Sequence, residues 1–427
     1  MMLGTAFRIT NRRDDRWVGG DKKGEVSRGS FSHLSETVMS NPYLPPEILD
    51  HVFDFLHDES ETLKGCCVVS KSWVPRTRRH LFAEIKFNWA RDLALWEKTF
   101  PDVANSPAYY TRTLLVGFTQ LRRASLVEDG GWIRAFSRVE SLGVDNGGAA
   151  YIEACRVSLA PCHKFSPTLK SLRVGPILLP YPGFFDFICS FPLLEDLKLT
   201  GRDDPRVEDS NPHGPQAVAP STSPVFTGSL DFQVCGGAGR TVRRLLELPN
   251  GLHFRKLVLS WDQDLRWIAE LVVMCSHTLE SLAITDTTIC TFVRICACTD
   301  SLFLSPVGPV LGSLNFSKAT KLRDLVFRPK QQAIKWVAMA LQTITPDHKD
   351  LRGISIYVNA VETEQTLGEA TRRQWLDLDR LLIQLWESHS IRPTVRCARP
   401  GGQGKAMERH IRFLLPEITK TRIFDPV

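Results

Sequence analysis

Apolar positions along this chain follow two rhythms. From Pro46 to His57, Ile48, Leu49, Val52, Phe53 and Leu56 recur at i, i+1, i+4, i+5 and i+8, which predicts a short helix with one apolar face. The double proline Pro45-Pro46 suits its first turn, where a missing N–H costs nothing. Asp58-Glu59-Ser60 then offers capping side chains, Leu63, Cys66, Cys67 and Ser70 repeat the helical spacing, and Trp73 follows. Pro75 opens a third short segment carrying Thr77, Leu81 and Ile85. Three small helices cannot bury all of this apolar surface among themselves, so part of it is expected to meet a partner or the neighbouring domain.

Beyond residue 100 the rhythm changes to a recurrent Leu-x-x-Leu-x-Leu string. It reads Val139/Leu142/Val144, Leu169/Leu172/Val174, Leu194/Leu197/Leu199, Leu279/Leu282/Ile284, Leu322/Leu325/Phe327 and Leu351/Ile354/Ile356. Looser copies sit at Leu114/Val116, Leu230/Phe232 and Phe254/Leu257/Leu259. Each string is one strand long, and helix-like segments lie between them at Gly183–Phe191, Trp267–Cys275 and Ile334–Ile344. Steps between central leucines of 30, 25, 25 and 29 residues, with one of 43, resemble the spacing of leucine-rich repeats. Strand then helix, repeated, implies a solenoid with a curved parallel sheet. Six of the copies depart from the repeat pattern in lacking an Asn three residues after the last apolar strand position, where Gly147, Ile177, Arg202, Asp262, Thr287 and Lys330 stand instead. Irregular coils are therefore expected. A generic doubly wound α/β domain is the alternative, because its buried strands are equally apolar.

Residues 1–40 mix Gly, Ser, Arg and Asp without periodicity and read as a disordered leader; Met39 offers an alternative start. Residues 201–228 hold five prolines and almost no bulky apolar side chain, a disordered insertion within the repeats in which Ser223-Pro224 is one conceivable phosphorylation site. Arg373–His389 places Trp375, Leu378, Leu382, Leu385 and Trp386 on one stripe, an amphipathic helix suited to capping the C-terminal end. The tail after Met407 adds a helix and a candidate final strand.

Composition narrows the function classes. With 427 residues, 43% hydrophobic and 23% charged, the chain has the make-up of a folded protein of two or three domains. Its net charge of +6 is concentrated at the ends: residues 1–43 hold seven basic against five acidic side chains, and residues 392–427 hold eight against three. The body is nearly neutral and carries no dense basic run interleaved with aromatics, which argues against a nucleic-acid reader. No CxxC pair occurs among the eleven cysteines, and the sets Cys290/Cys296/Cys298 and Cys155/Cys162/His163 stop short of the four ligands of a structural zinc site. Buried thiols in a reducing compartment, and no metal, are expected. The N-terminus lacks the apolar core of a secretory signal and no run of eighteen apolar residues follows, so a cytosolic or nuclear protein off the membrane is expected.

Catalytic signatures are missing. Gly236–Gly239 and Gly401–Gly404 lack the lysine and the spacing of phosphate-binding loops, there is no GxSxG or HExxH, and the histidines stand without partners at motif spacing. His51 and His80 are simplest as surface or packing residues. A non-catalytic chain without cofactor is expected.

Residues Leu44 to Phe87 closely resemble an F-box. The family pattern begins Leu-Pro (Leu44-Pro45), continues with an amphipathic helix, and closes with Val-Ser-Lys-x-Trp, here Val69-Ser70-Lys71-Ser72-Trp73, followed by a basic segment. The resemblance covers about a tenth of the chain. Together the readings give a multi-domain α+β protein: leader 1–40, a three-helix F-box at 41–87, and a leucine-rich-repeat-like α/β solenoid at 88–427.

The resemblance implies a substrate receptor of a Skp–cullin–F-box ubiquitin ligase. Its F-box would dock on a Skp-family adaptor and through it a cullin, while the repeats hold a protein target. Residues at the matching positions are Leu44, Pro45, Ile48, Leu49, Val52, Leu63, Val69 and Trp73. Leu and Ile would serve as anchors, Pro45 would set the chain's approach to the first helix, and Trp73 has the alternative of packing inside the module. A different class also fits: a repeat scaffold or regulatory protein with a degenerate F-box, acting outside any ligase. A weaker third option is nucleic-acid or membrane-surface binding by the basic C-terminal tail.

Overall fold

The structure is a computed structural model. It describes residues 45–117, 131–145, 160–179, 184–203, 224–235, 239–260, 265–285, 314–329, 334–358, 369–397, 409 and 411–421. The leader, Leu44, Met39, Cys155, Cys290, Cys296, Cys298, residues 204–223 of the insertion, both glycine clusters apart from Gly239, and the candidate final strand after Thr421 lie outside these.

Three helices open the described chain: α1 (Pro46–Phe55), α2 (Ser60–Val69) and α3 (Val74–Leu81). Then come eleven strands: β1 (Glu84–Phe87), β2 (Thr113–Gly117), β3 (Ser141–Asp145), β4 (Ser171–Leu179), β5 (Asp196–Asp203), β6 (Ser229–Cys235), β7 (Lys256–Ser260), β8 (Ser281–Thr285), β9 (Asp324–Phe327), β10 (Gly353–Val358) and β11 (Arg392–Cys397). They form one sheet in strict sequence order with every pair parallel. This is an α/β solenoid-like arrangement, and it excludes the doubly wound alternative, whose strand order reverses.

All nine strings are strands, β2 to β10. Register stacks their central positions in one row, Leu114, Leu142, Leu172, Leu197, Leu230, Leu257, Leu282, Leu325 and Ile354. A second buried row runs from Val116 through Val144, Val174, Leu199, Phe232, Leu259, Ile284 and Phe327 to Ile356. With a period of two these rows share one face. That face packs in a single core with residues of the helices Ala90–Thr99, Phe184–Cys189, Gly239–Leu246, Leu265–Cys275, Ile334–Leu341 and Glu369–His389. The other face, carrying Lys86, Arg173 and Val258 among others, is not part of that core.

Backbone bonds tie successive coils together at the starts of the strands. At β2 to β5 and β7 to β10 the residue before the strand and the strand's first residue both donate to one carbonyl of the preceding coil, whereas at β6 Ser229 N donates to Asp196 Oδ1. Glu140 and Ser141 donate to Arg112 O at 2.8 and 2.9 Å, Lys170 and Ser171 to Glu140 O at 2.8 and 3.0 Å, and Glu280 and Ser281 to Arg255 O at 2.7 and 2.9 Å. Side chains at these junctions alternate in sign. Arg112 pairs with Glu140 at 2.6 Å, Lys170 with Glu140 at 3.4 Å, and Arg323 with Glu280 at 3.1 Å. These are half-exposed pairs, so Glu140→Lys, which lines up three cations, is expected to cost only about 1 kcal/mol in urea unfolding, with the loss shrinking at high salt.

The sheet's ends differ from its middle, and the first carries a correction. Ile85 belongs to β1 rather than to the third helical segment; α3 stops at Leu81 and the chain joins the sheet at Glu84, inside the stretch assigned to the F-box. Ile85 sits at i+4 from Leu81, a spacing that imitates a helix. At the far end β11 (Arg392–Cys397) carries Pro393 in the leucine position, opposite Ile354. A proline without N–H suits an edge strand and discourages further pairing.

The C-terminal end is closed by Glu369–His389, on which the short helix Pro416–Lys420 is clasped. Asp379 is buried and accepts from Glu417 N at 2.7 Å and Ile418 N at 2.9 Å. Burial pushes its carboxyl above the usual 3.8, against the pull of those two N–H groups. Asp379→Ala strands two donors and is expected to cost about 2 kcal/mol. Because folding raises this pKa, the stability it contributes is fully present below pH 3.8 and declines as pH rises through the folded value. Melting curves of wild type and D379A should therefore diverge most in acid.

Candidate interaction surfaces

The helical module has a very small core of its own: Phe53, Leu63 and Leu81 are buried, with Leu49, Leu56, Cys66, Cys67, Trp73 and Phe82 packed around them. Trp73 meets Phe53 edge-on with ring centroids 5.7 Å apart. Thr77, buried in α3, lies 2.8 Å from Cys67 Sγ and donates to Trp73 O. Phe82 also packs against Trp96 and Phe100, joining the module to the first coil.

Ion pairs orient α1 on α3. Arg76 Nε meets Asp50 at 3.0 Å while its Nη1 donates to Pro46 O at 2.9 Å. His80 Nε2 lies 3.1 Å from Asp54. At 100° per residue these polar positions occupy one side of α1, and Leu49, Phe53 and Leu56 the inner side. A third side holds Ile48, Val52 and Phe55 at i, i+4 and i+7, and it is exposed: 47%, 44% and 85%. Inner and outer apolar sides adjoin, so the module covers only half of an unusually wide apolar arc. On α2, Val68 and Val69 are exposed at 88% and 71%.

The site residues expected from the sequence therefore divide. Ile48, Val52 and Val69 are exposed. Pro45 is exposed just before α1, where its carbonyl accepts from Ile48 N at 3.0 Å and Leu49 N at 3.2 Å. Leu49 and Trp73 are half-buried against the small core. Leu63 is corrected: it is fully buried in the small core with Phe53 and Leu81, and it cannot present itself to a partner. Leu44 lies outside the described residues. Phe55 and Val68 were missed, although Phe55 falls at i+3 from Val52 and so continues the outer stripe.

The open face of the sheet is a second surface. On β5 and β6, Lys198 pairs with Asp231, which also accepts from Gln233 at 2.8 Å. Farther along, Arg328 stacks on Tyr357 at 4.4 Å.

Of the cysteine sets, Cys162 is described; it is buried, and that burial pushes its thiol up to about 12. Cys275, also buried, is pushed to about 12 in the same way. Both stay protonated at neutral pH. Among the described residues no helix is long and apolar enough to cross a membrane. No family model matches the chain, and no curated protein matches it.

Proposed function

We propose that the chain is the substrate-recognition subunit of a Skp–cullin–F-box ubiquitin ligase, acting in the cytosol or nucleus. The observation that carries the reading is the half-covered apolar arc of α1, with Ile48, Val52 and Phe55 outward, beside the F-box-like sequence Leu44 to Phe87. An exposed apolar stripe on a helix held in place by its neighbours suits groove-type docking on an adaptor. The solenoid supplies a long, regular surface for a protein target. The chain's own part would be tethering: it holds the target near a ubiquitin-charged enzyme and raises effective concentration, with no bond chemistry and no cofactor.

Affinity purification of the full chain with mass spectrometry tests this reading. A Skp-family adaptor and a cullin are expected with the wild type, and both should vanish when residues 45–82 are deleted while a target protein is retained. Recovery of a target with neither adaptor nor cullin from the wild type would favour a scaffold acting outside a ligase.

A further inference from the structure

Parallel sheets are usually covered on both faces, yet here, among the described residues, the face opposite the helices lies outside the core. Its central row across β7, β8 and β9 is Val258, Ala283 and Val326, adjacent in register and half-exposed. One strand position onward stands Arg328, exposed, with Tyr357 beside it on β10 and its guanidinium 4.4 Å above the tyrosine ring. Among the described residues no carboxylate pairs with Arg328. The contrast with Lys198 is informative, since that cation on the same face is already matched by Asp231.

We infer that this part of the open face receives an acidic, apolar segment of a protein target, its carboxylate on Arg328 and its apolar side chains on Val258, Ala283 and Val326. A guanidinium stacked on a ring has little further freedom to lose on binding and presents a planar fork that matches a carboxylate. On the other side of the apolar row Lys256 and Asp324 oppose each other in sign, so cations are not lined up along the face; that suits a peptide, whereas a nucleic-acid backbone calls for a line of cations. The inference rests on the reading of the repeats as the target-holding part.

Fluorescence anisotropy of the full chain with labelled pools of short synthetic peptides tests it. The pools share their leucine spacing and carry Glu, Gln or Lys between, with oligothymidylate as a fourth probe. The Glu/Leu pool should bind best, and Arg328→Gln or Val326→Asp should weaken it about tenfold. Circular dichroism should be unchanged in both variants, and Arg328→Gln, at an exposed position, keeps the test decisive should Val326→Asp disturb the sheet. Equal binding of the three pools, unaltered binding by Arg328→Gln, or equally tight binding of oligothymidylate overturns the inference. Both variants should still capture the adaptor. A wild-type chain that captures the adaptor but does not distinguish the peptide pools refutes this inference alone, whereas selective peptide binding by a wild-type chain that captures no adaptor refutes the ligase reading.

Discussion

Replacing Val52 and Phe55 together by Asp is expected to abolish capture of a Skp-family adaptor while the protein stays folded. Phe55 is 85% exposed and Val52 is 44% exposed, so the new carboxylates reach water in the free chain and should change its stability by about 0.5 kcal/mol at most. In a complex the same positions would be desolvated, and a buried, unpaired carboxylate in place of an aromatic anchor is severely unfavourable. Each anchor of this type contributes about 2 kcal/mol, so affinity should drop by about a hundredfold or more, read by calorimetry against purified adaptor. An unchanged affinity with an unchanged melting temperature would remove α1's outer side from the docking surface.

Phe53→Ala should have the opposite signature. Phe53 is the largest side chain in a core of three buried residues and carries the edge-on contact with Trp73. Its truncation is expected to cost about 3–5 kcal/mol locally, and so small a core has little left to hold the three helices. The sheet has its own far larger core, with Phe82 packed against both cores. Hydrogen exchange should therefore show amides of residues 46–81 losing protection while those of β4 to β9 keep it. Uniform loss along the chain, or none, would contradict this division of the protein into two cooperative units.

The division was legible in the residues to an uneven degree. A buried parallel strand needs two inward apolar positions two apart, which each of the nine strings supplied, seven of them with a further apolar position before the strand, so β2 to β10 could be read directly. β1 and β11 could not: Glu84–Phe87 is only four residues long and follows helix spacing from Leu81, and Arg392–Cys397 replaces its leucine by Pro393. The inter-coil bonding escaped because it resides in backbone N–H groups at Glu140, Lys170 and Glu280, to which no residue type points. In the helical module the apolar pattern showed that α1 and α2 hold more apolar surface than they can share, but not which residues lie inside. For α1 that assignment depends on how α3 sets its rotation through Asp50 and Asp54, which placed Phe53 inside and turned Phe55 outward.

The most direct measurement is co-elution of the purified full chain with a purified Skp-family adaptor on size exclusion, the peak composition quantified by light scattering. The account predicts a one-to-one complex that survives the column and is lost with Val52→Asp/Phe55→Asp. Separate elution of a folded wild-type chain and adaptor would contradict it.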